Sequence, residues 1–264
     1  MTRTLGLVIV FTAVVAALIG PLVVPGDAIM QDLSQRLNGP SRSHLLGLDE
    51  LGRDLLARLL LGARISLAVG FAVVTISSVV GITVGAIAGY VGGVVDDVLG
   101  RIMDILLAFP GILLAIALVA VLGPSLVNIV FALVVIGWVG YARLVRGQVL
   151  KVREMEYVQA ARAAGAPISR VLLRHVIPAT FSAVTVQATL GMAGAIIAEA
   201  SLSFLGLGVQ PPTPSWGTML DSGRSHLFEA PHLTLVPGLA IALLVLGFNF
   251  AGDALRDRLD PRAL

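Results

Sequence analysis

Few residues of this 264-residue chain could do chemistry, and their spacing limits what chemistry that is. The imidazoles are His44, His175, His226 and His232. His226, Glu229 and His232 offer nitrogen and oxygen ligands for a metal cation. Their spacing matches no strong metal motif, and Pro231 interrupts any helix that would put them on one face. Hydrolysis inside a membrane would need a Ser–His pair or two carboxylates sharing a proton. All four histidines fall outside the long apolar runs, and Asp104, near the start of one run, has no acidic mate within it. Glu199 ends another run beside Ser201 and Ser203; alone it makes a thin relay for a proton-coupled carrier. No G-x4-G-K-[ST] phosphate loop occurs and Lys151 is the one lysine, so nucleotide hydrolysis is not expected of this chain.

These residues sit in a chain that is 57% hydrophobic and 13% charged, against roughly 25% charged in a soluble domain. Five or six windows reach the roughly 18–20 apolar residues that cross a bilayer. The composition therefore predicts an all-α polytopic membrane protein. The net charge of +2 argues against a nucleic-acid partner, and the absence of cysteine excludes disulfides and thiolate metal sites while leaving the redox compartment unreadable.

Six spans are expected. Leu5–Val24 is too long for a typical signal-peptide core of about 7–15 residues and no A-x-A site follows, so it reads as an uncleaved helix. Ile65–Val91 carries no charge, and Gly81, Gly85 and Gly89 form a ladder of small residues suited to close helix packing within the chain. Ile102–Leu122 is expected to kink at Phe109-Pro110-Gly111, because proline removes a backbone donor. Leu126–Ala142, Val176–Ala198 and Leu233–Gly252 complete the set. Between them, Leu51–Leu61 has a helical stripe and reads as a helix lying on the membrane surface, Gly92–Arg101 as a short polar turn, and Ser201–His232 as a loop rich in Pro and Gly. The resulting division is an N-terminal helix (1–24), an outer surface segment (25–64), a main transmembrane body (65–253) and a tail (254–264). Twelve of the eighteen Lys and Arg fall on the side that holds both termini, so the positive-inside rule makes that side cytoplasmic, although the five arginines of 25–64 pull the other way.

Among the intramembrane polar groups, Asp104 is expected to stay hydrated at the lipid boundary and Asp253 to be interfacial. Asn249 is expected to bond another helix, with Glu199, Ser201, Phe109 and Asn249 as candidates for a pathway or gate. Glu199 has two readings, a functional one as an outer gate or a contact to an amino group, and a structural one as a pair with a group on a neighbouring subunit, the second being preferred. Trp216 in the stiff stretch Gln210–Trp216 reads as part of an outer docking surface or as an interfacial anchor.

The long basic insert, about 143–175, is the anomaly in so apolar a chain. Glu156–Ala164 is alanine-rich and should be helical. Gly165 suits the left-handed residue that ends a helix, and Pro167 the first turn of the next. Ile168, Val171, Leu172, His175 and Val176 then repeat with helical period. Two helices with a sharp bend would project a tip of small residues, Ala160 to Ala166, slim enough to lie in a groove on another protein; an amphipathic surface helix with snorkelling arginines fits the same pattern.

The segment Gln159-Ala160-Ala161, then three residues, Gly165, then twelve, Pro178, resembles the E-A-A-x3-G-x9-I-x-L-P loop of ABC importer permeases. It departs at Gln159, in place of Glu, and at His175 and Ile177, in place of Ile and Leu. Leu46–Asp54 (LGLDELGRD), Ser203–Gly208 (SFLGLG), Pro214–Gly217 (PSWG) and Gly252–Pro261 (GDALRDRLDP) resemble, in order, the C-type permeases of dipeptide, oligopeptide and nickel importers. The resemblance implies the type I importer permease fold with six transmembrane helices, and a cytoplasmic coupling helix formed by Gln159, Ala160, Ala161, Arg162, Ala163, Ala164, Gly165, Ala166, Pro167, Ile168 and Ser169. It implies a non-catalytic subunit in the bacterial inner membrane that binds no cofactor, paired with a B-type permease, two ATP-binding subunits that carry ATP and Mg, and a periplasmic or lipoprotein substrate-binding protein. The implied cargo is a dipeptide or oligopeptide, with nickel, haem and glutathione as alternatives.

Overall fold

The computed structural model describes residues 2–24 and 28–259, most of them helical. Helices α1 (Thr2–Val23), α2 (Leu55–Val91), α3 (Gly93–Leu107), α4 (Gly111–Leu122) and α5 (Leu126–Val152) are followed by the short α6 (Glu156–Ala163) and α7 (Ile168–Val171). A wide π-helical turn, Leu172–Val176, joins α7 to α8 (Ile177–Phe204); α9 (Trp216–Arg224) and α10 (His232–Leu259) complete the chain. Among the described residues, five continuous helical runs, α1, α2, α5, α7–α8 and α10, are long and apolar enough to cross a membrane, and the pair α3–α4, bent by 82°, makes a sixth if counted as one broken span.

Several boundaries differ from the sequence expectation. Leu51–Leu61 is not a separate surface helix. Gly52 turns the chain with φ +71°, Asp54 caps the next N–H groups by accepting from Ala57 N, and nothing from Leu55 to Val91 breaks the helix thus started. The division at 64/65 therefore falls inside α2. At 37 residues α2 is about 55 Å long, well beyond a hydrocarbon core of roughly 30 Å. Gly92–Arg101 is likewise mostly helix, entered through Gly92 and Gly93 at positive φ. Pro110 does more than kink: α3 ends at Leu107 with Ala108 as its C-cap, and Pro110 starts α4 as its N-cap, because the residue before a proline is pushed out of the helical region. α5 runs ten residues past the expected Ala142, so the basic insert begins as a membrane helix extended into water.

The ladder Gly81, Gly85 and Gly89 does pack within the chain. A Cβ at Gly81 would collide with Tyr141, one at Gly85 with Ala142, and one at Gly89 would meet Arg146 O at 2.9 Å, so α2 and α5 touch backbone to backbone. α1 packs on α10 in the same way, Gly247 against Ile9 and Gly6 against Phe250.

At the Leu55 end of α2 the segment 28–54 folds into a cap. The backbone of Gly52 lies against Asp32 so closely that any side chain would strike the Asp32 carbonyl. Bonds from Ser34 and Gln35 hold the Asp32 carboxyl below its usual range. Asp49 is buried between two buried arginines, accepting from Arg53 Nε at 2.7 Å and lying 3.2 Å from Arg58 Nε, while Asp54 pairs with His44 at 2.9 Å. Arg53 and Arg58 are held in this internal cluster, which accounts for two of the five arginines of 25–64 that pull against the positive-inside count; Arg36, Arg42 and Arg64 are exposed.

Two more of the stretches, SFLGLG and PSWG, lie at the same end, whereas the described part of GDALRDRLDP ends α10 at the other. SFLGLG ends α8, with Gly206 at φ +77° and Leu207 N bonding back to Leu202 O. PSWG starts α9, where Ser215 and Thr218 cap one another. Trp216 is neither an anchor at the lipid surface nor part of an open loop: it is 3% exposed and donates its indole N–H to Leu59 O at 3.0 Å. Of the GDALRDRLDP stretch, Asp260 and Pro261 lie outside the described residues, as does Asp27 of the outer segment.

Candidate functional site

The opposite end of α2 carries the elbow. α6 ends in a Schellman turn: Ala166 N bonds Ala161 O at 3.1 Å, Gly165 N bonds Arg162 O at 3.0 Å, and Gly165 has φ +78°. Pro167 is the N-cap of α7 rather than its first residue. The bend read from Gly165 and Pro167 is thus present.

What fixes the elbow is apolar. Val158 on α6, Val171 on α7 and Val176 in the wide turn are fully buried with Val145 and Val149 of α5, and Tyr90 of α2 and Ala161 and Ala166 pack against them. Polar ties add to this. Arg153, just past α5, donates to Gly89 O of α2 at 2.9 Å, the Arg162 guanidinium lies 6.0 Å from the Tyr90 ring centre, and the rings of Tyr157 and His175 are 6.1 Å apart. The wide turn also accommodates Pro178, which has no N–H to give and whose ring would crowd the carbonyl one turn back in an ordinary helix. Pro178 therefore sits inside a continuous run from Ile168 to Phe204 rather than at a junction.

The outward face is the small-residue tip. Gln159, Ala160, Arg162, Ala163, Ala164, Gly165, Pro167, Ile168 and Ser169 are exposed; Ala161 and Ala166 are half-buried. Gln159, at the Glu position of the loop it resembles, is used locally, donating to Glu154 O at 3.2 Å. Large apolar side chains missed by the sequence reading are exposed on the same stretch, Met155, Tyr157 and Leu173, with Ile168 turned outward instead of inward. Their signal was masked by a helical period that five residues appeared to share. Exposed apolar groups beside a tip of alanines suit close docking by another protein.

The intramembrane candidates are scattered, not gathered at one site. Glu199 is fully buried and satisfied within the chain: Ser66 Oγ donates to one carboxylate oxygen at 2.8 Å and Ser203 Oγ to the other at 2.7 Å. The preferred reading, a pair with a neighbouring subunit, does not match this geometry. Ser201 bonds back to Ile197 O, Phe109 is exposed in the break between α3 and α4, and Asn249 is half-buried on α10 without a hydrogen-bond partner among the described residues. Asp104 is not simply hydrated; it pairs with Arg143 of α5, and Asp96 takes both Nε and Nη2 of Arg146. Asp253 is exposed. His226 and Glu229 stand 3.5 Å apart, but His232 turns to Leu48 O, and the described residues hold no group of three metal-type ligands.

Comparison with known proteins agrees with this architecture. Residues 81–264 match the family described as binding-protein-dependent transport system inner membrane component. The chain is 46% identical over 257 residues to the dipeptide transport system permease protein DppC of Alkalihalophilus pseudofirmus, covering 97% of this chain and 84% of that one. It is 47% identical over 254 residues to the glutathione transport system permease protein GsiD of Shigella dysenteriae, covering 96% and 84%. Among solved structures, the inward-facing MetNI methionine ABC transporter superposes with a TM-score of 0.61 at 20% identity over 77% of this chain, which speaks for the fold. A bundle with a bent elbow at one end and a capped knot at the other, matched along nearly its whole length, makes this chain a member of the binding-protein-dependent transport system inner membrane component family, a multi-pass permease subunit of an ABC importer.

Proposed function

We propose that this subunit moves short peptides inward across the inner membrane by alternating access, driven by ATP that separate subunits bind and hydrolyse. The observation that carries the proposal is the elbow: an exposed small-residue tip anchored by buried valines to α2, α5 and α8 at once. Such a tip can receive motion from a docked ATPase and pass it to the membrane helices as a unit. A second permease of B type forms the other half of the pathway, and a substrate-binding protein docks on the capped end. Both termini and the elbow face the cytoplasm. The cargo follows from the relatives named for dipeptide and glutathione transport; a glutathione-like tripeptide is the second reading, favoured by a match as close as the first.

Gly165→Arg tests the coupling. Gly165 has φ +78° and open space around its Cα, so an arginine there would keep the turn at a cost of about 1–2 kcal/mol while projecting a long cation from the tip. In a reconstituted complex with B-type permease, ATPases and binding protein, uptake should fall away while basal ATP hydrolysis persists. Normal uptake with normal substrate-stimulated hydrolysis would remove the elbow from the mechanism.

A further inference from the structure

Two hydroxyls inside the bundle have nothing to bond. Ser77 Oγ on α2 and Tyr141 Oη on α5 are both buried, 1% and 5% exposed by residue, and neither has a partner among the described residues. Buried hydroxyls without partners are uncommon, because each forfeits its hydrogen bonds to water. Both line one cavity of about 230 Å³ between α2, α4, α5 and α8. The cavity exists because its walls lack side chains: Gly111, Gly137, Gly191 and Gly194 all face it. Its remaining lining is aliphatic, with no charged residue. The glycine positions are also what lets the hydroxyls sit there. A Cβ at Gly137 would meet Ser77 Oγ at 2.7 Å, and one at Gly191 would run into Tyr141 Oη.

We propose that this cavity is a transit subsite for the cargo, taking one uncharged side chain and the peptide carbonyl beside it, with Ser77 and Tyr141 donating to that carbonyl. The proposal rests on the peptide-import reading above. Its size supports a fragment rather than a whole ligand, since sites for drug-sized molecules run to roughly 300–1,000 Å³. Its chemistry supports a neutral fragment. A peptide carbonyl accepts from hydroxyls, an apolar side chain fills the glycine-lined space, and a charged side chain would be desolvated with no counter-charge in reach. Serine and tyrosine hydroxyls left unpaired in the protein are then paired by the passing peptide.

The chain has no cysteine, and a Cβ at Gly194 meets nothing within 4 Å, so Gly194→Cys places a unique thiol on the cavity wall. In the reconstituted complex turning over ATP with its binding protein, modification of that thiol by methyl methanethiosulfonate is followed by mass. Leucyl-leucine should protect it and lysyl-lysine should not. Adding Ser77→Ala or Tyr141→Phe should raise the protecting concentration about tenfold, the size of one lost hydrogen bond. Uptake provides a second measurement without a thiol: Ser77→Ala and Tyr141→Phe should raise KM for leucyl-leucine about tenfold with melting temperature unchanged or raised, since each removes an unpaired buried donor. Uptake of leucyl-leucine without protection, equal protection by both peptides, or full protection in the hydroxyl variants would each overturn the inference and leave the peptide reading standing. No uptake of either peptide by the unsubstituted complex would overturn the peptide reading and the inference with it.

Discussion

Asp49→Asn should be among the most damaging single-atom changes in the chain. Oδ1 of Asp49 accepts from Leu51 N and Arg53 N, both at 2.9 Å, and Oδ2 faces Arg53 Nε at 2.7 Å and Arg58 Nε at 3.2 Å. Asparagine keeps the first pair of bonds through its carbonyl oxygen. Its NH2 group then points at two guanidinium donors, so two charge-assisted contacts are lost and two buried cations lose their closest anion. Arg53 retains Glu50 at 3.3 Å and Arg58 retains the Ala28 carbonyl at 3.0 Å, which places the loss near the lower end of the about 3–5 kcal/mol expected for breaking a buried pair. Denaturant-induced unfolding in detergent micelles, read by fluorescence, suits the measurement because buried Trp216 bonds the carbonyl of Leu59, the residue after Arg58 of this cluster. Asp49→Asn with Arg58→Met should recover part of the loss, because one uncompensated cation is gone, giving a coupling of about 0.5–3 kcal/mol between the two changes. An unfolding midpoint unmoved by Asp49→Asn, or strict additivity in the double variant, would refute the argument that these charges act as one buried unit.

Two further outcomes follow from the packing. Gly85→Val should part α2 from α5, because a Cβ there collides with Ala142 and would also meet Val145 at 3.0 Å, and purified protein should elute as aggregate on size-exclusion chromatography while Gly100→Val, in open space, stays monodisperse. Glu199→Gln should cost only about 1 kcal/mol, since a serine hydroxyl can reverse to accept from the new amide; peptide uptake by the reconstituted complex should be unchanged, and its loss would reinstate the gate reading.

The elbow was legible because it is written in local backbone chemistry. Gly165 and Pro167 constrain φ wherever they stand, and the turn they encode needs nothing distant. The apolar spans were legible for the same reason, although their ends were not. Asp54 starts α2 ten residues before the apolar run because a cap acts on the backbone, and flanking arginines that look solvent-facing in sequence are buried by an aspartate. Several other misses involve partners far apart in the chain. Trp216 finds Leu59, Glu199 finds Ser66, and Arg143 and Arg146 find Asp104 and Asp96. No periodicity in one segment reports a hydrogen bond made in another. Ser77 shows the limit most clearly: in sequence it is one more small residue on a packing helix, and only the glycines opposite reveal that it lines an empty space.

The placement of these parts suggests which helices move together. The elbow touches α2 through Arg153 and Arg162, α5 through Val149 and Val152, and α8 by direct continuation through the wide turn. Close backbone contact along Gly81, Gly85 and Gly89 then ties α2 to α5 over about two turns at the elbow end, and Glu199–Ser66 ties α8 to α2 near the cap. A push at the tip would therefore reach three helices as one body, since packed interiors deform little. α3 is held differently. It meets α5 through Met103, buried against Val139 and Ala142, and through the partly exposed ion pairs Asp96–Arg146 and Asp104–Arg143, which contribute only about 0–1 kcal/mol each, and a break of three residues separates it from α4. The cavity of Ser77 and Tyr141 lies where α4 meets the rigid three, with Gly111 of its first turn in the wall. α4 is itself packed on that body, with Ala115 and Val119 fully buried in one cluster with Ile129 and Ala132 of α5, so this wall of the cavity is carried with the three helices.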